Sequence, residues 1–290
     1  MNLSRRNLLK LAAAILAVSA CDRQDDGSRY SFNKPDKETS MQSKFIKHQG
    51  ATLHYQIGGT ETAPVIVLLH GGFGSIADFA PLLPRLQQHY RVIAIDTRGH
   101  GRSTLGTAAL TYAQAAEDVR QILRHEGVGK YSLFGFSDGG TTAYRLGAED
   151  KNIEKIITVG AEWHKKHLDG VRPMFEAINS DFVKENLPEQ LAAYQAANPE
   201  PDAEKWIAAL KAMWLDESAS GYPNESVREI AANVLAIRGE ADFLLAFDDW
   251  AELKTELPDV HLMNVPFAAH EAIKEQPEII WAAVQAFQAL

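Results

Sequence analysis

A chain of 290 residues, 46% of them hydrophobic and 23% charged, carries enough apolar material for one large folded domain and lacks the composition of a disordered protein. Its formal net charge of -9 argues against nucleic acid as a partner, because phosphate contacts need clustered Lys and Arg. One cysteine, Cys21, excludes an internal disulfide framework and any multi-cysteine zinc site.

Residues 1–20 place Arg5 and Arg6 ahead of an apolar run that ends in small residues. That is the shape of a signal peptide, and the run is too short for an ordinary spanning helix. Ser4-Arg5-Arg6-Asn7-Leu8-Leu9-Lys10 resembles a twin-arginine export signal, with Leu8 where phenylalanine is commoner. Val18-Ser19-Ala20-Cys21 resembles a lipobox, and Asp22 resembles a retention signal for the inner membrane. These resemblances imply export by the twin-arginine route and a lipid anchor on Cys21, facing the periplasm or the cell exterior, with the inner membrane favoured. That anchor is the sole membrane contact expected. A simple cleaved leader with an incidental cysteine is the alternative. Residues 21–43 are mostly polar and read as the lipidated cysteine followed by a flexible tether.

From Lys44 onward, short apolar runs at 51–57, 65–69, 92–95, 131–136, 153–159, 234–237 and 260–265 alternate with helical patterns. Alternation of this kind predicts a mostly parallel sheet with helices on both faces. Tyr112, Ala116, Val119, Ile122 and Leu123 form one helical stripe; Ile279, Ile280, Ala283, Val284 and Phe287 form another, with Pro277 near its start. Both stripes are expected to face the core. Between residues 164 and 227 the strand alternation stops, and Trp206, Leu210 and Trp214 recur at i, i+4, i+8. This segment reads as a helical cap inserted into an α/β core of residues 44–163 and 228–290.

Gly135-Phe136-Ser137-Asp138-Gly139 has the form G-x-S-x-G, follows a predicted strand and opens a predicted helix. A sharp turn there lifts the serine hydroxyl above the sheet edge, and the flanking glycines leave room where side chains would collide. The helix N-terminus beneath it favours developing negative charge.

With that elbow, the chain from Lys44 to its C-terminus resembles the α/β-hydrolase family, which implies an eight-stranded, mostly parallel sheet and a serine nucleophile. His70-Gly71-Gly72-Phe73-Gly74 resembles the family's oxyanion loop. The resemblance implies an oxyanion hole made by the amides of Gly72 and Asp138, with Phe73 as the donor if the loop is shifted by one. Asp96-Thr97-Arg98-Gly99-His100-Gly101-Arg102-Ser103 resembles a scaffold turn of the family and receives no catalytic role. Family order asks for an acid after the seventh strand and a histidine after the eighth, where Asp242 and His270 stand. A serine hydroxyl is a weak nucleophile until an imidazole takes its proton and a carboxylate fixes the imidazole tautomer. The implied triad is therefore Ser137, His270 and Asp242. Glu162, after the sixth strand, and Glu240 are rival acids.

Asp138 has two readings: favourable interaction with the helix dipole, or reception of a cationic group on the substrate. His164 and His167 have an i, i+3 spacing that can suit a metal, but Lys165 and Lys166 lie between them and no third ligand is near, so a solvated cap segment is expected. Phe73, Trp163, Trp206 and Trp214 are candidate substrate contacts; Met213 and Tyr222 of the cap line a pocket or pack the cap onto the body.

A weaker similarity of the Ser-Asp-Gly-Gly run is to biphenyl-hydrolase-like esterases and ring-cleavage product hydrolases. The expectation is a serine hydrolase acting on a small ester, thioester or amide through an acyl-enzyme, with no metal, nucleotide or organic cofactor. Carbon–carbon bond hydrolysis and cofactor-free haloperoxidase-like activity are alternatives that keep a serine. A non-catalytic ligand-binding protein on the same fold is the alternative of another class.

Overall fold

A computed structural model describes residues 40–289. The expected signal peptide, the twin-arginine and lipobox motifs, Cys21 and most of the tether lie outside the described residues.

Eight strands form one sheet in the order β1-β2-β4-β3-β5-β6-β7-β8. They are β1 (Gln42–His48), β2 (Ala51–Gly59), β3 (Val65–Leu69), β4 (Arg91–Ile95), β5 (Tyr131–Phe136), β6 (Ile153–Val159), β7 (Asn233–Gly239) and β8 (His261–Val265). β2 pairs antiparallel with β1 and β4, and every other pairing is parallel. The mostly parallel sheet expected from the alternating pattern is therefore present. β1 begins at Gln42, inside the stretch expected as tether, because its residues pair in unbroken register with Ala51–Ile57 of β2. Sequence patterning missed this strand: it lies on the sheet edge and buries none of its residues fully, so its alternation is shallow.

The central strands are buried on both faces; β5 has no residue exposed, which explains its continuous apolar run. On one face lie α2 (Tyr112–His125), α3 (Asp138–Glu149) and α8 (Phe247–Glu256). Ala116, Val119 and Ile122 of α2, Tyr144 of α3 and Leu253 of α8 pack there. On the other face lie α1 (Leu83–His89), α9 (Ala272–Glu275) and α10 (Pro277–Gln288), through Leu86, Ile273, Ile280, Val284 and Phe287. Thr111 caps α2 by accepting from the Gln114 amide at 3.0 Å, which fixes where the stripe begins.

Between β6 and β7 the chain runs through α4 (Leu168–Ala177), α5 (Ser180–Asn186), α6 (Pro188–Ala197) and α7 (Ala203–Trp214). Their apolar residues form a separate cluster around Val183, Leu191, Tyr194, Trp206 and Leu210. Strand order reverses at β3, which pairs with β4 on one side and β5 on the other. Leu69 and Gly135 are register partners there, so the loops after β3 and β5 leave the sheet side by side. Open α/β sheets bind ligands at such switch points.

Candidate active site

The loop after β5 carries Ser137, whose backbone sits at φ 50°, ψ -117°, a region that L-residues avoid. The turn is held by the Ser137 amide donating to Val159 O at 2.8 Å and by the Gly140 and Thr141 amides donating to Ser137 O at 2.8 and 3.0 Å. The flanking glycines are demanded by contact: a Cβ on Gly135 would lie 2.4 Å from Gly139 O, and one on Gly139 would lie 2.0 Å from Leu69 O.

The loops after β7 and β8 bring two more side chains to this point. Ser137 Oγ stands 2.9 Å from His270 Nε2, and His270 Nδ1 donates to both Asp242 oxygens at 3.0 Å. Asp242 is buried and accepts from the Leu244 and Leu245 amides at 2.9 and 3.2 Å. Burial works against its charge, but His270 and those two amides hold the carboxyl below its ordinary value. For His270, burial opposes protonation, and the Asp242 carboxylate outweighs it, so the imidazole is held above the usual histidine value.

Neither rival acid reaches the imidazole. Glu162 Oε1 accepts from His167 Nδ1 at 2.6 Å and from the Trp163 and His164 amides at 2.7 and 3.2 Å. Glu240 accepts from the Phe267 amide at 3.2 Å. His167 also donates through Nε2 to Glu252 at 3.1 Å; burial lowers its pKa, but these carboxylates raise it further. His164 pairs with Glu225 at 3.1 Å. Both histidines are thus buried and hydrogen-bonded to carboxylates rather than solvated as expected, and among the described residues no three His, Cys, Asp or Glu side chains are grouped to hold a metal.

The loop after β3 is shaped by His70, which is buried, donates through Nδ1 to Gly71 O at 2.7 Å and accepts from the Thr97 amide at 3.0 Å. Gly72 packs against the elbow so closely that a Cβ there would lie 2.6 Å from Asp138 Oδ2 and 2.7 Å from the Trp214 ring. Gly72, Phe73, Ser137, Asp138 and His270 all line one cavity of about 530 Å³.

Asp138 answers its two readings in an unforeseen way. Its carboxylate accepts from Trp214 Nε1 at 3.0 and 2.9 Å and from Tyr112 Oη at 2.8 Å. Both oxygens are occupied by the protein, and they tie the end of α7 and the start of α2 to the elbow. Burial pushes the Asp138 carboxyl up, and these two donors partly offset it. Tyr112 carries no sequence signal for this role, since its position fits the core stripe equally well. Trp214→Phe is expected to lower stability by about 2 kcal/mol, since a buried carboxylate loses a donor; thermal unfolding of the variant measures this.

Of the aromatic candidates, Phe73 and Trp214 line the cavity and stand edge to face at 5.4 Å. Trp163 and Trp206 do not. Trp163 is buried, with Nε1 donating to Asp249 O at 3.1 Å; Trp206 stacks on Tyr194 at 4.0 Å inside the cap cluster. The wall that sequence reasoning missed is supplied by α4 and the segment from α5 to α6: Val171, Met174, Phe175, Phe182 and Leu187.

A sequence model described as the alpha/beta hydrolase fold matches residues 64–213. Among curated relatives, 3-oxoadipate enol-lactonase 1 of Acinetobacter baylyi is 30% identical over 79% of this chain and 90% of its own length. A proline iminopeptidase of Pestalotiopsis fici is 39% identical over 82% of this chain and 96% of its own. Of solved structures, the 2-hydroxy-6-oxo-6-phenylhexa-2,4-dienoate hydrolase of a Rhodococcus strain superimposes with a TM-score of 0.70 over 87% of this chain and 100% of the other, at 17% identity. The chain therefore belongs to the α/β-hydrolase-fold family and is a hydrolase that acts on a small-molecule substrate.

Proposed function

We propose that the protein is a serine hydrolase that cleaves a small ester, thioester or amide. Ser137 Oγ attacks the acyl carbon while His270 Nε2 takes its proton, and Asp242 holds the imidazole tautomer and stabilises the imidazolium. The amides of Gly72 and Asp138 receive the oxyanion. Collapse of the tetrahedral intermediate breaks the bond to the leaving group, which takes the proton from His270. Water, activated by the same imidazole, then releases the acid from Ser137. The observation that carries this reading is the chain of hydrogen bonds from Ser137 through His270 to Asp242, at 2.9 and 3.0 Å, at the cavity wall. The relatives named as a lactonase and an iminopeptidase fit an acyl-bond chemistry.

Intact-mass labelling with an alkyl fluorophosphonate tests it. The Ser137 oxygen forms a bond to phosphorus, fluoride leaves, and the serine proton passes to His270. One adduct on the wild type and none on Ser137→Ala is the expected result; a folded wild type that takes no adduct refutes the reading in favour of a ligand-binding protein.

On the sequence of residues 1–22 we also propose export by the twin-arginine route and lipidation of Cys21, leaving the folded body tethered to the inner membrane. Cys21→Ser is expected to move the protein from the membrane fraction to the soluble exported fraction, read by fractionation and immunoblot.

A further inference from the structure

Every charged group well inside the cavity is already engaged by the protein itself. Asp138 is held by Trp214 and Tyr112. Glu162 is held by His167 and two amides. Glu275 accepts from the Ala269 amide at 2.7 Å. Lys274 is the one lysine or arginine among the described lining residues, and its Nζ lies 2.8 Å from Asp78 and 2.9 Å from Glu271. Glu189 also lines the cavity, but it is exposed at the rim. The remaining wall is mainly the apolar surface of Val171, Met174, Phe175, Phe182 and Leu187, with the neutral polar side chains of Thr141, Asn186 and Gln190 beside it.

We infer that this cavity takes neutral acyl compounds with a bulky apolar group and turns away those bearing a free carboxylate. The inference rests on the serine-hydrolase reading and names its substrate class. A carboxylate entering the cavity gives up its water, meets no unpaired cation and lies in the field of acids that outnumber the single lysine. A cationic group also gives up its water, and the inner acids, which already hold donors from the protein, repay that cost only in part. Shape, apolar contact and neutral hydrogen-bonding groups are then left to recognise the substrate, in a cavity of about 530 Å³, within the range of small-molecule sites. This separates the chain from relatives whose names denote acids, an oxoadipate lactone and a dienoate.

Three fluorophosphonates of equal chain length, ending in methyl, carboxylate or ammonium, test the inference on the full-length chain. Labelling of Ser137 is followed by intact mass, and each rate is divided by that probe's reaction with a free oxime. The methyl probe is expected to react about 100-fold faster than the carboxylate probe and faster than the ammonium probe. Equal rates, or a charged probe that leads, overturn this inference and leave the nucleophile standing. If none of the three labels a folded chain, the serine-hydrolase reading fails and the inference falls with it. Val171→Lys places a cation in the wall and is expected to narrow the methyl-to-carboxylate ratio about tenfold; an unchanged ratio overturns charge as the cause.

Discussion

Ser137→Ala and Ser137→Gly are both expected to lose about five or more orders of magnitude in kcat, because Ser137 is the nucleophile of the proposed mechanism and no neighbouring group replaces it. Their stabilities should differ in the reverse of the usual order. Glycine is ordinarily less stable than alanine at a structured position by about 0.5–1 kcal/mol, through the entropy of the unfolded chain. At Ser137 the backbone lies at φ 50°, ψ -117°, where any Cβ carries strain of about 1–3 kcal/mol. Both variants remove the same hydroxyl and the same bond to His270, so the comparison isolates the Cβ. Ser137→Gly should therefore be the more stable of the two by about 1 kcal/mol, or about 3 °C in Tm for a domain of this size. A melt in which the alanine variant is the more stable would show that the elbow is unstrained.

Asp242→Asn is expected to lower kcat by about 10⁴-fold with little change in fold. The Leu244 and Leu245 amides both donate to Asp242 Oδ1, so an asparagine would place its carbonyl there and turn its NH₂ towards His270 Nδ1. That nitrogen must then accept, the ring proton moves to Nε2, and the imidazole faces Ser137 as a donor rather than a base. The pH profile gives a second, independent sign. In the proposed mechanism His270 is the base, a role open only to the neutral ring, and in the wild type, although burial opposes protonation, Asp242 holds its pKa above the ordinary 6.5. The wild-type kcat/KM should accordingly rise with pH through a midpoint above that value. Without the carboxylate charge, burial still lowers the histidine pKa while its largest opponent is gone, so the midpoint in Asp242→Asn should move to lower pH. A midpoint that stays in place would show that His270 is not the titrating base.

The strands at the centre of the sheet and the positions of Ser137, Asp242 and His270 were legible because their signals are local. A continuous apolar run marks a strand buried on both faces, and Gly135 and Gly139 are required by contacts a few residues away or on the next strand. The order of motifs along the chain then places the acid and the histidine after β7 and β8, since parallel strands all deliver their following loops to the same edge. Edge strand β1 was not legible, because its half-exposed pattern differs little from that of a tether.

The partners of Asp138 and the identity of the cavity wall had to come from the folded arrangement. Trp206 and Trp214 lie on one stripe of α7, yet Trp206 stacks inside the cap while Trp214 reaches the elbow. Helical periodicity says which residues share a face; it does not say where along that face the helix meets another element. Tyr112 is a similar case, a core position by spacing whose hydroxyl happens to meet a carboxylate from another helix. Glu162 was a plausible acid from its place after β6, and it was removed from that role by His167, a neighbour close in sequence whose direction depends on how the first turn of the cap lies. Contacts of this kind depend on the rotation and docking of whole helices, which are set by the packing of many residues together, so they cannot be read from any one segment of the chain.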